Sequence, residues 1–152
     1  MKIRALLASA LLLASVPAVA DQTGQIRLSA AIGNDIVQII EDGPQAIRIA
    51  VNDKTILDER KSQAITLVDV FNLKERWLVL FQQTSGGDDC PASYRILDLS
   101  EGKASISFPF GTCSAEPKTS AADGMLTVSM PGKAGQGEAA WTYGGGSLFR
   151  SK

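Results

Sequence analysis

The chain holds two cysteines, Cys90 and Cys113, and no histidine. The segment between them limits the fold more than any other stretch. Tyr94 to Leu99 and Ala104 to Phe110 carry the residue types of strands, and Ser100-Glu101-Gly102-Lys103 between them is turn chemistry. A turn centred between Glu101 and Gly102 sets Leu99 against Ala104, Leu97 against Ile106 and Arg95 against Phe108. One face of this hairpin is then mostly apolar, and the other, bearing Asp98, Ser105 and Ser107, reads as solvated. Continued outward, the register brings Cys90 opposite Cys113, with Pro91 and Gly111 predicting irregularity at that end. Facing strand residues meet the Cα separation of roughly 4.4–6.8 Å that a disulfide needs. In the chain-entropy model a bridge over a loop of this length stabilises by about 3 kcal/mol. A metal or redox role would call for Cys-x-x-Cys spacing or histidine ligands, and the chain has neither. A structural disulfide is the expectation.

An oxidising compartment is also what the N-terminus implies. Lys2 and Arg4 precede an apolar stretch from Ala5 to Val16, and Ala18-Val19-Ala20 has the small-x-small pattern of a signal peptidase site. Residues 1–20 are read as a secretory signal peptide and 21–152 as one domain with one core. The apolar run is too short to span about 30 Å of hydrocarbon, so no membrane insertion is expected after cleavage. The expected location is the periplasm or the medium. With 15 Lys and Arg against 16 Asp and Glu, there is no electrostatic footprint for nucleic acid or anionic lipid.

Along the mature chain, period-two alternation predicts strands at 25–31, 35–41, 46–51 and 55–57, separated by Gly33-Asn34-Asp35, Asp42-Gly43-Pro44 and Asn52-Asp53-Lys54. Further strands are predicted at 64–71 and 76–82. Trp77-Leu78-Val79-Leu80-Phe81 is apolar without alternation, as in a strand covered on both faces, and is the expected centre of the core. Ser114 to Gly124 reads as a surface loop, Met125 to Met130 as a strand, and Ala139 to Tyr143 with Ser147 to Arg150 as a closing hairpin. The predicted fold is all-β: a single small domain, an antiparallel β-sandwich or small barrel of about ten short strands, braced by one disulfide. A strand-turn-strand rhythm leaves room for a few four-stranded units, without a residue-level repeat.

Candidate chemistry is sparse. Thr84-Ser85-Gly86-Gly87-Asp88-Asp89 has paired carboxylates but not the spacing of a calcium loop, and reads first as a solvated connection. Anchored at one end by the cysteine, it is a candidate partner-binding loop through Ser85, Asp88 and Asp89. Ser100-x-x-Lys103 has the spacing of a serine nucleophile and its base, yet it falls in a hairpin turn and lacks companion motifs. Without histidine, a Ser-His-Asp mechanism, a His-ligated zinc and a His pH switch are unavailable. No spacing selects a carboxylate pair for hydrolysis. No catalytic residue, metal ligand or cofactor is assigned. Trp141 and Tyr143, two apart on one strand, would form a ligand-stacking pair if exposed and core if not.

These readings point to a soluble exported binding module rather than an enzyme. It would act through a protein partner in the cell envelope, as an inhibitor or immunity protein against an envelope-targeting hydrolase does. Gln83 to Asp89 and Pro131 to Glu138 are its candidate loops. The alternative is an envelope accessory domain that binds a glycan or small ligand through Trp141 and Tyr143.

Overall fold

The computed structural model describes residues 24–152 except 75, 88, 101, 134 and 135. The signal-peptide reading therefore lies outside the described residues. Twelve strands, rather than about ten, form three open, four-stranded antiparallel sheets, each a meander of consecutive strands. The first sheet is β1 (Gln25–Ile32), β2 (Asp35–Gly43), β3 (Ala46–Val51) and β4 (Lys54–Glu59). The second is β5 (Ala64–Leu73), β6 (Arg76–Thr84), β7 (Ser93–Ser100) and β8 (Lys103–Ile106). The third is β9 (Lys118–Ala122), β10 (Met125–Pro131), β11 (Glu138–Gly144) and β12 (Ser147–Arg150).

The second sheet is the middle layer. Its β6 is apolar at every position from Trp77 to Phe81, so both faces of the strand must be covered. Val79 and Phe81, with Leu97 and Leu99 of β7, pack against Val37, Ile39, Ile47 and Ile49 of the first sheet. Leu78, Leu80, Tyr94 and Ile96 pack on the other side against Leu126, Val128, Met130 and Tyr143 of the third. Leu78, Val79, Leu80 and Phe81 are wholly buried. At about 1.5–3 kcal/mol for each such side chain, this one strand contributes several kcal/mol to the fold.

The turns give the stack two unlike ends. Ile32 pairs with Asp35, Val51 with Lys54, Leu73 with Arg76, Ser100 with Lys103, Ala122 with Met125, and Gly144 with Ser147, so six hairpins close through two-residue loops at one end, while a seventh, Gly43 with Ala46, closes through Pro44-Gln45 at the other. Positive φ at Asn52 and Asp53, at Asp123 and Gly124, and at Gly145 and Gly146 is what the twist-matched primed turns require. The turn at Gly33 abuts Trp77 at the start of β6, and Gly124 abuts Lys74. All three sheets therefore present these turns at the same end. The longer connections run across the opposite end, where Cys90 and Cys113 are bridged with their Cα atoms 4.6 Å apart.

Three local expectations are corrected. The segment 114–124 is not only a loop: Lys118–Ala122 forms β9, an edge strand exposed along its whole length and hence without the alternation that reveals buried strands. The strand read through Phe110, with Pro109 expected to end or edge it and to leave Phe108 and Phe110 at the sheet margin, stops earlier than that, at Ile106. Ser107 fills in: its N–H donates to the Ile96 carbonyl at 2.9 Å and its Oγ accepts the Ile96 N–H at 2.9 Å. The register then slips by one residue, Tyr94 bridges Phe110, and Phe108, expected opposite Arg95, is 87% exposed. Arg95 instead donates to the Ser107 carbonyl at 3.0 Å and reaches Glu59 of the first sheet at 3.3 Å. The third correction concerns Asp98. Expected on a solvated face, it is 2% exposed, because that face of the hairpin meets the third sheet.

Candidate functional site

The residues singled out in the sequence fall mainly at the looped end. Ser85 and Asp89 are exposed there, the Ser85 hydroxyl donating to the Cys90 carbonyl at 3.3 Å, so the bridge steadies the loop. Gly86, at φ 76°, lies over the Gln63 amide, which ties this loop to the connection between the first two sheets. Asp88 lies outside the described residues. On the far side of the disulfide, Tyr94 donates its hydroxyl to the Ser114 carbonyl at 2.9 Å, and Thr112 donates its own to the Pro131 carbonyl at 2.6 Å. The 107–117 connection is thereby tied to β7 and to Pro131 at the end of β10.

Trp141 sits beside them. It lines an open cavity of about 350 Å³ together with Thr112, Lys133, Gln136, Glu138 and Arg150. Its ring packs 5.6 Å from Phe110, and the Arg150 guanidinium lies 5.5 Å over it. Tyr143 shares its face of β11, as the spacing of two demands, but is buried at 3% exposure. The two aromatics therefore do not form a stacking platform: the face they share is the inner face of the third sheet, where Tyr143 belongs to the core. A ring ligand reaching Trp141 would meet a half-buried indole already covered by a cation.

The constellation that sequence reasoning missed is at the turn end. Asp98 Oδ2 accepts the Tyr143 hydroxyl at 2.9 Å and lies 3.5 Å from Arg76 Nη1, while Oδ1 accepts the Ser100 hydroxyl at 2.8 Å. A carboxylate taken out of water needs such partners, and here a phenol, a hydroxyl and a guanidinium supply them. Burial, and then the hydrogen bond to the Asp98 carboxylate, push the Tyr143 hydroxyl up to about 12. The signal was present in the sequence: Asp98 pairs with Leu78, inside the very run that reads as covered on both faces. A strand beside such a run shares its two-sided burial, so a mid-strand aspartate there has to be internal.

Among the described residues no group of three or more Cys, Asp or Glu side chains is placed to hold a metal ion. The network joins a buried carboxyl group, a guanidinium, a hydroxyl and a phenol whose proton is held up to about 12. Its chemistry is that of a charge-satisfied brace between two sheets. No protein-family model, no curated protein and no solved structure matches the chain.

Proposed function

We propose that this protein is an exported binding module that recognises a protein partner through the looped end of the stack. The observation that carries the reading is the asymmetry of the two ends. Six connections at one end are two-residue turns, while at the other the short β2–β3 turn is joined by long connections tied by the disulfide and by hydrogen bonds to Ser114 and Pro131. Loops of that kind on a rigid β scaffold present a fixed epitope at little ordering cost on binding. Insertion of the 85–89 or 132–137 loop into a partner's cleft is the mode of an inhibitor. The export reading supports a partner in the cell envelope.

The test is capture from periplasm and medium with a C-terminally tagged chain expressed with its own N-terminal segment. The mature chain should begin at Asp21 by mass spectrometry. One stoichiometric protein should co-purify, be lost with a Ser85→Ala/Asp89→Ala variant or a Lys133→Ala/Gln136→Ala variant, and be retained with Lys54→Ala at the opposite end. Recovery of the chain alone, or capture that ignores both loop variants, overturns the proposal.

A further inference from the structure

We infer that the turn end carries a second, independent site, a cleft that binds a small organic anion through Lys54, Arg76 and Lys103. These three residues occupy equivalent places in the fold. Each is the first strand residue after a two-residue turn, opening β4, β6 and β8 respectively. The sheets stack with those turns side by side, so three cations from three hairpins line one cleft of about 560 Å³, together with Val51, Ile56 and Ala104. Pockets of roughly 300–1,000 Å³ suit small molecules, and this volume exceeds what a bare inorganic ion fills.

Among the described residues the carboxylates that line the cleft, Asp35 and Asp98, each accept hydrogen bonds from the protein. Asp35 accepts the Asn52 side-chain amide at 2.7 Å, and that same asparagine accepts the Ile36 N–H at 2.8 Å, clamping the first turn to the second. Asp98 is held by Tyr143 and Ser100 as well as by Arg76. Among the described residues neither Lys54 nor Lys103 forms an ion pair within 4.0 Å. Arg76 is 29% exposed, and Asp98 is its buried counter-charge. A guanidinium fixed in this way gives up little side-chain freedom when a carboxylate or phosphate arrives, and it offers the planar fork that such groups fit. Val51 and Ile56 form an apolar wall beside the cations. The ligand class that answers both features is a compact molecule with an anionic head and an apolar body.

Phenyl phosphate is the probe, followed through the backbone amides of the ¹⁵N-labelled chain. It should shift the amides of Val51, Asn52, Arg76, Lys103 and Ala104 in a saturable manner. Inorganic phosphate and benzyl alcohol, each with half of the recognised features, should bind about tenfold or more weakly. Arg76→Gln should weaken phenyl phosphate by about tenfold, and raised salt should weaken it further. Lys103→Ala, an exposed change that leaves the core untouched, should cost a few-fold with an unchanged melting temperature and serves if Arg76→Gln does not fold. Asp98→Asn should weaken binding in the wild-type background and cost nothing more in Arg76→Gln, as a positioning residue acting through that arginine must. Shifts elsewhere on the chain, no saturable shift at about 10 mM probe, or wild-type affinity in both Lys103→Ala and Arg76→Gln would each overturn the inference.

Discussion

Tyr143 of β11 donates its hydroxyl to Asp98 of β7 at 2.9 Å, across the interface between the third and second sheets. Both groups are buried, and the bond joins residues 45 apart in the chain. It is a buried polar contact between the third meander and the middle one, set in a core of side chains such as Leu78, Leu80, Val128 and Met130 that lack its directionality.

The first prediction concerns alkali. The chain has only two tyrosines, and both are shifted the same way: burial raises Tyr94, and burial with the Asp98 bond raises Tyr143 to about 12. A phenol whose folded pKa exceeds its unfolded one keeps its proton in the fold while the unfolded chain loses it. Tyr143 therefore contributes stability that is complete below pH of about 10 and is lost as pH rises from there towards 12. Absorbance at the phenolate band should show no tyrosine ionising at its ordinary pH, and both ionising late, together with loss of β structure. A tyrosine that titrates normally in the folded protein would contradict the buried placement.

Acid should act elsewhere. Asp42 is lowered by its hydrogen bonds from Arg48, the second of which is 2.9 Å long. A depressed carboxylate stabilises the fold above its unfolded pKa of about 3.9 and ceases to do so as pH falls through the lower folded value. Asp42→Asn should flatten the fall of stability in that acid window while leaving the alkaline transition where it is. Urea midpoints measured across both ranges give the comparison.

Asp98 is the strongest single test of the core. Asp98→Ala leaves the Tyr143 hydroxyl and the Ser100 hydroxyl without their acceptor and Arg76 without its counter-charge, and should cost about 3 kcal/mol in urea unfolding. Tyr143→Phe should cost less, about 1–2 kcal/mol, since Ser100 and Arg76 remain on the carboxylate. The pair should be non-additive: Asp98→Ala combined with Tyr143→Phe should lose less than the two single changes together. Additive losses would mean that the hydroxyl and the carboxylate do not share a bond.

How much of this could be read in advance varies with burial. The hairpin pairing of Leu97 with Ile106 and Leu99 with Ala104, the disulfide, and the two-faced strand at Trp77 to Phe81 were all legible, because alternation, turn chemistry and an unbroken apolar run are local signals. Lys118–Ala122 was not, since an edge strand of small exposed residues buries nothing that could impose a period. Asp98 was misplaced for a different reason. Its hairpin was judged alone, where a polar face looks solvated, whereas its exposure is decided by a later sheet whose Tyr143 lies 45 residues further along the chain. The convergence of Lys54, Arg76 and Lys103 was equally hidden: each follows an ordinary turn, and only the stacking of the sheets brings the turns together.

The turns themselves supply the last prediction, because two of their glycines are used for different reasons. Gly145 has φ of 59° with nothing within 4 Å of where a Cβ would stand. Gly145→Ala therefore incurs only the left-handed backbone penalty of about 1–2 kcal/mol. Gly33 has a similar φ of 61°, but a Cβ there would lie 2.5 Å from Trp77 Nε1 and 2.7 Å from Cδ1. That indole is half-buried and packed against the core between the first and second sheets, so it cannot swing aside freely. Gly33→Ala should bear the same backbone term plus displacement of Trp77, and so destabilise by about 1–3 kcal/mol more than Gly145→Ala. Tryptophan emission should separate the two further, shifting towards that of a solvated indole in Gly33→Ala and staying unchanged in Gly145→Ala. Equal destabilisation with equal emission would show that the first turn does not close down on Trp77.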